Sequence, residues 1–388
     1  MKKLICPFCF HAFRLEDAPF RCVIPSCPGS EIDEAYVRAR GCSAVPMGRV
    51  LVPARRRRWS SAPREMRCDA CSQTSRVRLC PHCHFELPHD MGLIDQRIVA
   101  IIGGRATGKT HYIATLITRL QQEVGKEFNL TVRMLGDNTQ ERWERDFYTP
   151  LFVNKTLLQP NRPAEVDASV KVPLIFRFTF NRGGYRRALN MSFFDSAGED
   201  LTTLTSMSLY NRYILHADGI IFLLDPLQIP LVRAQLPPEN LPPANPRSSP
   251  EQIVGRLRDL FEREHRLRVA RPIKVPIAFA LSKIDTLFPL FEPGSEFFHP
   301  GWHAGYLDLD DVQSVHTEVA TCLAGWINQN FCNIIESSFA CYNYFGVSSL
   351  GEAPGAGNRL TEVSPFRVED PFLWLLYRLA LIRGKKRR

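Results

Sequence analysis

Arg97-Ile98-Val99-Ala100-Ile101-Ile102-Gly103-Gly104-Arg105-Ala106-Thr107-Gly108-Lys109-Thr110 decides the fold. The first six residues are a short apolar run ending in glycines, the pattern of a buried strand. The last eight fit G-x-x-x-x-G-K-[ST] at every fixed position. Helical periodicity follows from His111 to Gln122. Glycines let the backbone curl so that successive N–H groups point inward at phosphate. The helix adds its positive N-terminal end. Gly103, Gly104, Arg105, Ala106, Thr107, Gly108, Lys109 and Thr110, with the adjoining His111, are therefore the candidate phosphate cradle. Lys109 would reach the β- and γ-phosphates, and the Thr110 hydroxyl would bind Mg2+. A glycine turn with an incidental lysine accounts for neither the threonine nor the flanking pattern.

Downstream, apolar runs recur at 172–180, 189–194, 219–224, 275–281 and 339–347, each bounded by turn residues. Helical spacing lies between them at 204–216, 250–269 and 312–335. Strands alternating with helices predict an α/β fold with a three-layer, mostly parallel sheet covered on both faces. Residues 226–250 carry eight prolines, which neither a helix nor an internal strand tolerates, and read as a surface insertion. Asp370-Pro371 reads as an N-cap followed by proline at the first helical position, opening a last packing helix. The basic tail 383–388 suits a helix C-terminus and is expected to fray.

The chain has 388 residues, 45% of them hydrophobic and 23% charged, enough for a normal core and two to three domains at roughly 150 residues each. A net charge of +9 permits acidic partners without demanding them. No apolar run is long enough for a membrane span. Cys6 and Pro7 interrupt the N-terminus before a signal-peptide stretch can form, so the expected location is the cytoplasm. Nine of the twelve cysteines lie within the first 83 residues. In a reducing compartment this argues for metal rather than disulfides. Read in chain order, Cys6, Cys9, Cys22 and Cys27 form one structural zinc site and Cys68, Cys71, Cys80 and Cys83 a second. Residues 1–90 are then a double zinc-ribbon module and 96–382 the phosphate-loop domain. Cys42 is left over, and Cys322, Cys332 and Cys341 read as buried small hydrophobes. The run Arg55–Arg58 beside Trp59 is a solvated loop or, less favoured, a nucleic-acid contact.

Three later stretches bear on the nucleotide. Phe194-Asp195-Ser196-Ala197-Gly198 ends a strand in D-x-x-G; Asp195 can hold Mg2+ through water and the Gly198 N–H can sense a γ-phosphate. Leu281-Ser282-Lys283-Ile284-Asp285 ends another in S-K-x-D. A carboxylate there accepts both N1–H and N2–H of guanine, a donor pair that adenine lacks. The Lys283 stem would lie over the base. Ser348-Ser349 follows the last strand, where a backbone N–H can meet guanine O6.

In this order the four stretches resemble the motifs of translation-factor-like, Ras-like GTPases. With the N-terminal cysteines, the whole chain is similar to the bacterial double-GTPase type. That resemblance implies a G domain that binds GTP and GDP with Mg2+, hydrolyses GTP as a switch, answers to a protein effector or activator, and works in bacterial conflict or defence systems. One phosphate loop is visible, so one GTPase domain is counted. Ser282 stands where the pattern has Asn or Thr. Glu199 stands where Ras-like enzymes carry the glutamine that orients the attacking water, so it is the candidate catalytic residue beside Lys109 and Gly198. Its charge beside a γ-phosphate predicts slow intrinsic hydrolysis. Thr149, Thr156 and Asn161 are switch I candidates, Thr156 preferred. Two alternatives compete: a P-loop ATPase using Asp225 or Asp195 as its acidic metal residue, and a non-hydrolysing zinc-ribbon adaptor that touches nucleic acid. A calcium loop at Asp308, Asp310 and Asp311 fails on spacing.

Overall fold

The computed structural model describes residues 3–24, 26–53, 62–159, 172–182, 185–194, 209–238, 241–244, 249–265, 271–301 and 303–386. Seven strands make the central sheet: β1 (Asp95–Gly103), β2 (Leu130–Met134), β3 (Leu174–Arg182), β4 (Tyr185–Phe193), β5 (Gly219–Leu224), β6 (Ile277–Leu281) and β7 (Tyr342–Gly346). Their order is β2-β3-β4-β1-β5-β6-β7. From β4 to β7 each neighbouring pair is parallel, whereas β3 runs antiparallel to β2 and β4. The mostly parallel three-layer α/β fold read from the sequence is the fold observed.

Alternation along β1 explains the layers. Val99 and Ile101 join a cluster with Tyr112, Ile113, Leu116, Phe372 and Leu376. Those come from α1 (Lys109–Gln121) and from the last helix, Asp370–Arg378. Ile98, Ala100 and Ile102 point the other way and pack with Tyr213, Leu257, Val315 and Ile335. These come from the helices Leu209–Leu215, Pro250–His265, Leu309–Trp326 and Gln329–Ser338. A strand covered on both faces must be apolar throughout, which is why β1 and β5 read as unbroken hydrophobic runs. The crossover from β1 into α1 places the glycine loop at the carboxyl end of the sheet, where open α/β sheets bind ligands.

Several expectations need correcting. The segment 312–335 is two helices, broken at Asn328, whose side chain accepts from Phe331 N at 2.9 Å and caps the second. The proline-rich stretch begins with short helices at Pro226–Gln228 and Pro230–Arg233 that bury Leu227, Ile229 and Val232 in the core. Proline is tolerated at a first helical position, where its missing N–H costs nothing. Asp370 is the first helical residue after the cap Glu369, and its carboxylate is spent elsewhere. The start of the basic tail is not frayed: Gly384–Lys385 pairs in parallel with Leu307–Asp308. Asp308 caps its helix, its side chain accepting from Asp310 N and Asp311 N. Cys322, Cys332 and Cys341 are half-buried rather than buried. No helix among the described residues is long and apolar enough to cross a membrane.

Candidate nucleotide and metal sites

The cradle is built as its sequence requires. Gly108 adopts φ 88° as the cap of α1, and Ala106 sits at φ 61°. A Cβ on Gly103 would lie 2.7 Å from Leu223 O and 2.8 Å from the Thr107 hydroxyl, so only glycine fits there. Thr107 is buried and donates to Gly104 O at 3.0 Å. Lys109 is buried too, its ammonium donating to Gly104 O at 2.9 Å and Gly103 O at 3.2 Å. Arg105 and Ala106 form the exposed tip, and Thr110 stands half-buried beside Lys109.

Residues far apart in sequence close on this loop. Asp285 and Ser348 meet: burial raises the Asp285 carboxyl, and the Ser348 hydroxyl and the Lys283 charge work against that rise. Ser348 Oγ also accepts from Gly351 N at 2.9 Å, and Ser349 is half-buried next to it. Ser282 ties β6 to β5 through its N–H and hydroxyl, both donating to Leu224 O at 2.8 and 3.2 Å. Lys283 donates to Asp225 Oδ2 at 2.7 Å. The other Asp225 oxygen accepts from Leu227 N at 3.0 Å. Lys283 also lies near the cradle helix, because burial and then its charge push the His111 imidazole down to about 4.

Sequence reasoning placed His111 in the phosphate cradle, next to Thr110. In the structure its Nε2 accepts from Leu158 N at 3.1 Å. The segment before Leu158 is bridged in turn to the chain beyond the last strand, by Thr156 opposite Arg359, Leu157 N to Asn358 O at 3.0 Å and Leu360 N to Lys155 O at 2.9 Å. Of the switch I candidates, Thr156 donates its hydroxyl to Pro150 O at 3.0 Å and Thr149 to Glu144 at 3.2 Å. Asp195, Gly198, Glu199, Asn161 and Arg55–Arg58 lie outside the described residues.

The cysteines correct the sequence reading. All eight ligands assemble, but in a nested arrangement: Cys6, Cys9, Cys80 and Cys83 form one tetrad, and Cys22, Cys27, Cys68 and Cys71 the other. The chain-order sets Cys6–Cys9–Cys22–Cys27 and Cys68–Cys71–Cys80–Cys83 do not form. Sulfur separations of 3.8 Å (Cys6–Cys83), 3.7 Å (Cys9–Cys80), 3.4 Å (Cys22–Cys71) and 3.8 Å (Cys27–Cys68) are far from disulfide length. They fit the roughly 3.8 Å edge of a tetrahedron with metal–sulfur bonds of about 2.3 Å. Both tetrads thus suit zinc, closed on four thiolates. The pairing follows likeness rather than proximity in sequence. Cys6-Pro7-Phe8-Cys9 and Cys80-Pro81-His82-Cys83 form matching turns: Phe10 N to Cys6 O and His84 N to Cys80 O are both 3.0 Å, and Phe10 and His84 both take positive φ. That shared C-P-x-C was visible in the sequence. Between the tetrads, buried Arg21 and half-buried His84 both bond Asp33.

A third cluster went unread. Arg367, with no side-chain exposure, bonds Asp311 through two nitrogens at 2.8 and 2.9 Å and Asp370 at 2.8 Å. His303 Nε2 lies 3.0 Å from Asp370. The guanidinium already occupies the carboxylates, so this is a buried ion network and not a metal site.

A model of the family described as Double-GTPase 2 matches residues 97–297. A Mycolicibacterium smegmatis protein named as a candidate ESX-1 scaffolding and assembly protein, SaeC, is 30% identical over 324 residues, spanning 78% of this chain and 80% of that relative.

Proposed function

The chain belongs to the Double-GTPase 2 family of GTP-binding P-loop proteins, and from that premise we propose that it hydrolyses GTP slowly, as a switch for protein assembly. The observation that supports this reading is the joining of the loops at the carboxyl ends of β5, β6 and β7 beside the cradle strand β1: Ser282 N donates to Leu224 O at 2.8 Å, Ile284 N to Val347 O at 3.1 Å and Lys283 to Asp225 at 2.7 Å, with Asp285 buried at the same turn. In it Gly103–Thr110 hold the phosphates, Asp285 reads the guanine edge, and Ser348 and Ser349 close the base loop. Lys109 stabilises the charge that develops on the γ-phosphate. The hydroxyl of Thr110 and the carboxylate of Asp195 are hard oxygen donors of the kind Mg2+ takes, and the ion would neutralise charge on the β- and γ-phosphates. Gly198 senses the γ-phosphate, and Glu199 orients the attacking water against its own repulsion, which leaves room for a partner's arginine.

The ATPase reading through Asp225 loses support because both of its carboxylate oxygens are engaged, by Leu227 N and Lys283. In the zinc-bearing part, exposed Val23, Ile32, Val45 and Val52 favour docking of a protein. The relative's name points the same way, toward assembly rather than conflict or nucleic acid. Unpaired cysteine tetrads suit a reducing cytoplasm. The division at 1–90 and 96–382 remains part of this proposal.

Filter binding and single-turnover kinetics test it. GTP is expected to bind in preference to ATP, and Lys109→Ala to abolish binding. Glu199→Ala is expected to keep binding and slow turnover. Equal or tighter ATP binding would remove the guanine assignment, and an unchanged Glu199→Ala rate the water-orienting role.

A further inference from the structure

The Cys6/Cys9 turn does more than hold metal. The residue after Cys9, Phe10, has no solvent exposure and lies in the core under the sheet of the phosphate-loop domain, with Ile98, Ala100, Phe194 and Tyr213. Its ring meets Phe194 edge-on at 6.1 Å and Tyr213 at 5.3 Å, and those two lie 5.3 Å apart. Tyr213 is itself a node. Its hydroxyl donates to Val99 O at 2.6 Å and accepts from Ile101 N and Phe194 N, both at 3.2 Å.

The position of this node matters. The β4–β1 ladder ends at Ser192 opposite Ile98, so beyond it the Tyr213 hydroxyl joins Phe194 to β1. Phe194 directly precedes Asp195, the proposed Mg2+ carboxylate, and β1 runs directly into the cradle. Phe10 reaches this node because its turn fixes it: Phe10 takes φ 57° and donates to Cys6 O at 3.0 Å. Closing Cys6, Cys9, Cys80 and Cys83 on one ion fixes that turn, since a four-thiolate site organises the chain around it.

We propose that Phe10 and Tyr213 are positioning residues that couple the Cys6/Cys9/Cys80/Cys83 metal site to the nucleotide site, by holding the end of β4 at Phe194 against β1, the strand that runs into the cradle. This rests on the proposed GTP switch. The coupling is reciprocal, so metal at the tetrad strengthens GTP binding and GTP strengthens metal retention. It falls more on GTP than on GDP, because Gly198, four residues after Phe194 in the chain, is the proposed γ-phosphate sensor, whereas general loss of structure weakens both alike.

The test uses the full-length, zinc-loaded chain with fluorescent GTP and GDP analogues. Native binding is measured first; a native chain that takes no guanine nucleotide removes the switch reading and this proposal with it. Given native binding, Phe10→Ala is expected to keep both zinc ions and weaken GTP about tenfold, within the usual range of coupling between sites, and GDP much less. Phe10→Leu should recover most of the loss, and Tyr213→Phe, which keeps the ring, should reproduce it. Native GTP affinity in Phe10→Ala, or equal losses for GTP and GDP, overturns the proposal and leaves the switch reading standing. Independently of any variant, chelator-driven zinc release from the native chain should slow on saturation with GTP; identical release with and without GTP overturns it as well.

Discussion

Nesting of the two cysteine tetrads predicts an outcome that chain-order pairing reverses. Cys6→Ser with Cys80→Ser removes two thiolates from one tetrad and none from the other. One chelator-resistant zinc should therefore remain. Cys6→Ser with Cys22→Ser takes one thiolate from each tetrad, so no intact site should remain. The tetrads should also depend on one another, each by the same factor, because coupling between two sites is reciprocal. With the inner site closed, the path from Cys9 to Cys80 runs through the 13 steps to Cys22 and the nine from Cys71. With it open the separation is 71 residues. Lengthening a loop from about 22 to about 71 steps costs about 1 kcal/mol of closure entropy, roughly sixfold in affinity. Cys22→Ser with Cys71→Ser should weaken zinc at the outer tetrad by about that factor, and Cys6→Ser with Cys80→Ser should weaken zinc at the inner tetrad equally. Metal analysis after chelator challenge and competitive zinc titration read both quantities. One resistant zinc in the Cys6/Cys22 variant, with none in the Cys6/Cys80 variant, would refute the nested arrangement.

Two further outcomes follow from buried ionisable groups. His111 has its folded pKa lowered to about 4, so stability present above its ordinary value near 6.5 is lost as pH falls toward 4, by about 3 kcal/mol. His111→Gln keeps an acceptor for Leu158 N and should remove that part of the slope in urea unfolding across this window; an unchanged slope counts against the contact. Arg367→Met strips Asp311 and Asp370 of their cation and should cost about 3–5 kcal/mol in the same assay, with a loss below about 1 kcal/mol refuting a buried network.

The parts of the molecule legible in the sequence are those whose physics is local. The β1 run, the glycine loop and α1 are contiguous, and their periodicity and conformational demands sit within a few turns of chain. The cysteine partition is not local: spacing identifies a knuckle, but which two knuckles share an ion depends on how the intervening 22–71 loop returns. Phe10 and Arg367 were unreadable for a related reason. Each is a single residue beside a conspicuous motif or none, and each depends on a partner more than 50 residues away, Tyr213 for Phe10 and Asp311 for Arg367. His111 stood inside the motif, yet its contact to Leu158 depends on a bridge to Arg359 that no periodicity encodes.

Strain adds an argument about the base side that spacing alone does not supply. Lys283 adopts φ 55°, a conformation unfavourable for a side chain of its kind by roughly 1–2 kcal/mol. Glycine would relieve the backbone there. The turn holds because its surroundings determine it: Ser282 is bonded twice to Leu224 O, Ile284 N donates to Val347 O at 3.1 Å, and the lysine ammonium is held by buried Asp225. The result is that Ile284 turns into the core while Asp285, one residue later, meets Ser348. A backbone held in a costly conformation by three independent contacts, with a carboxylate desolvated at its end, is what a preorganised recognition loop requires. A surface turn carrying Lys and Asp by chance would have no such constraints, so the strained turn favours Asp285 as a ligand-reading group over an incidental acid.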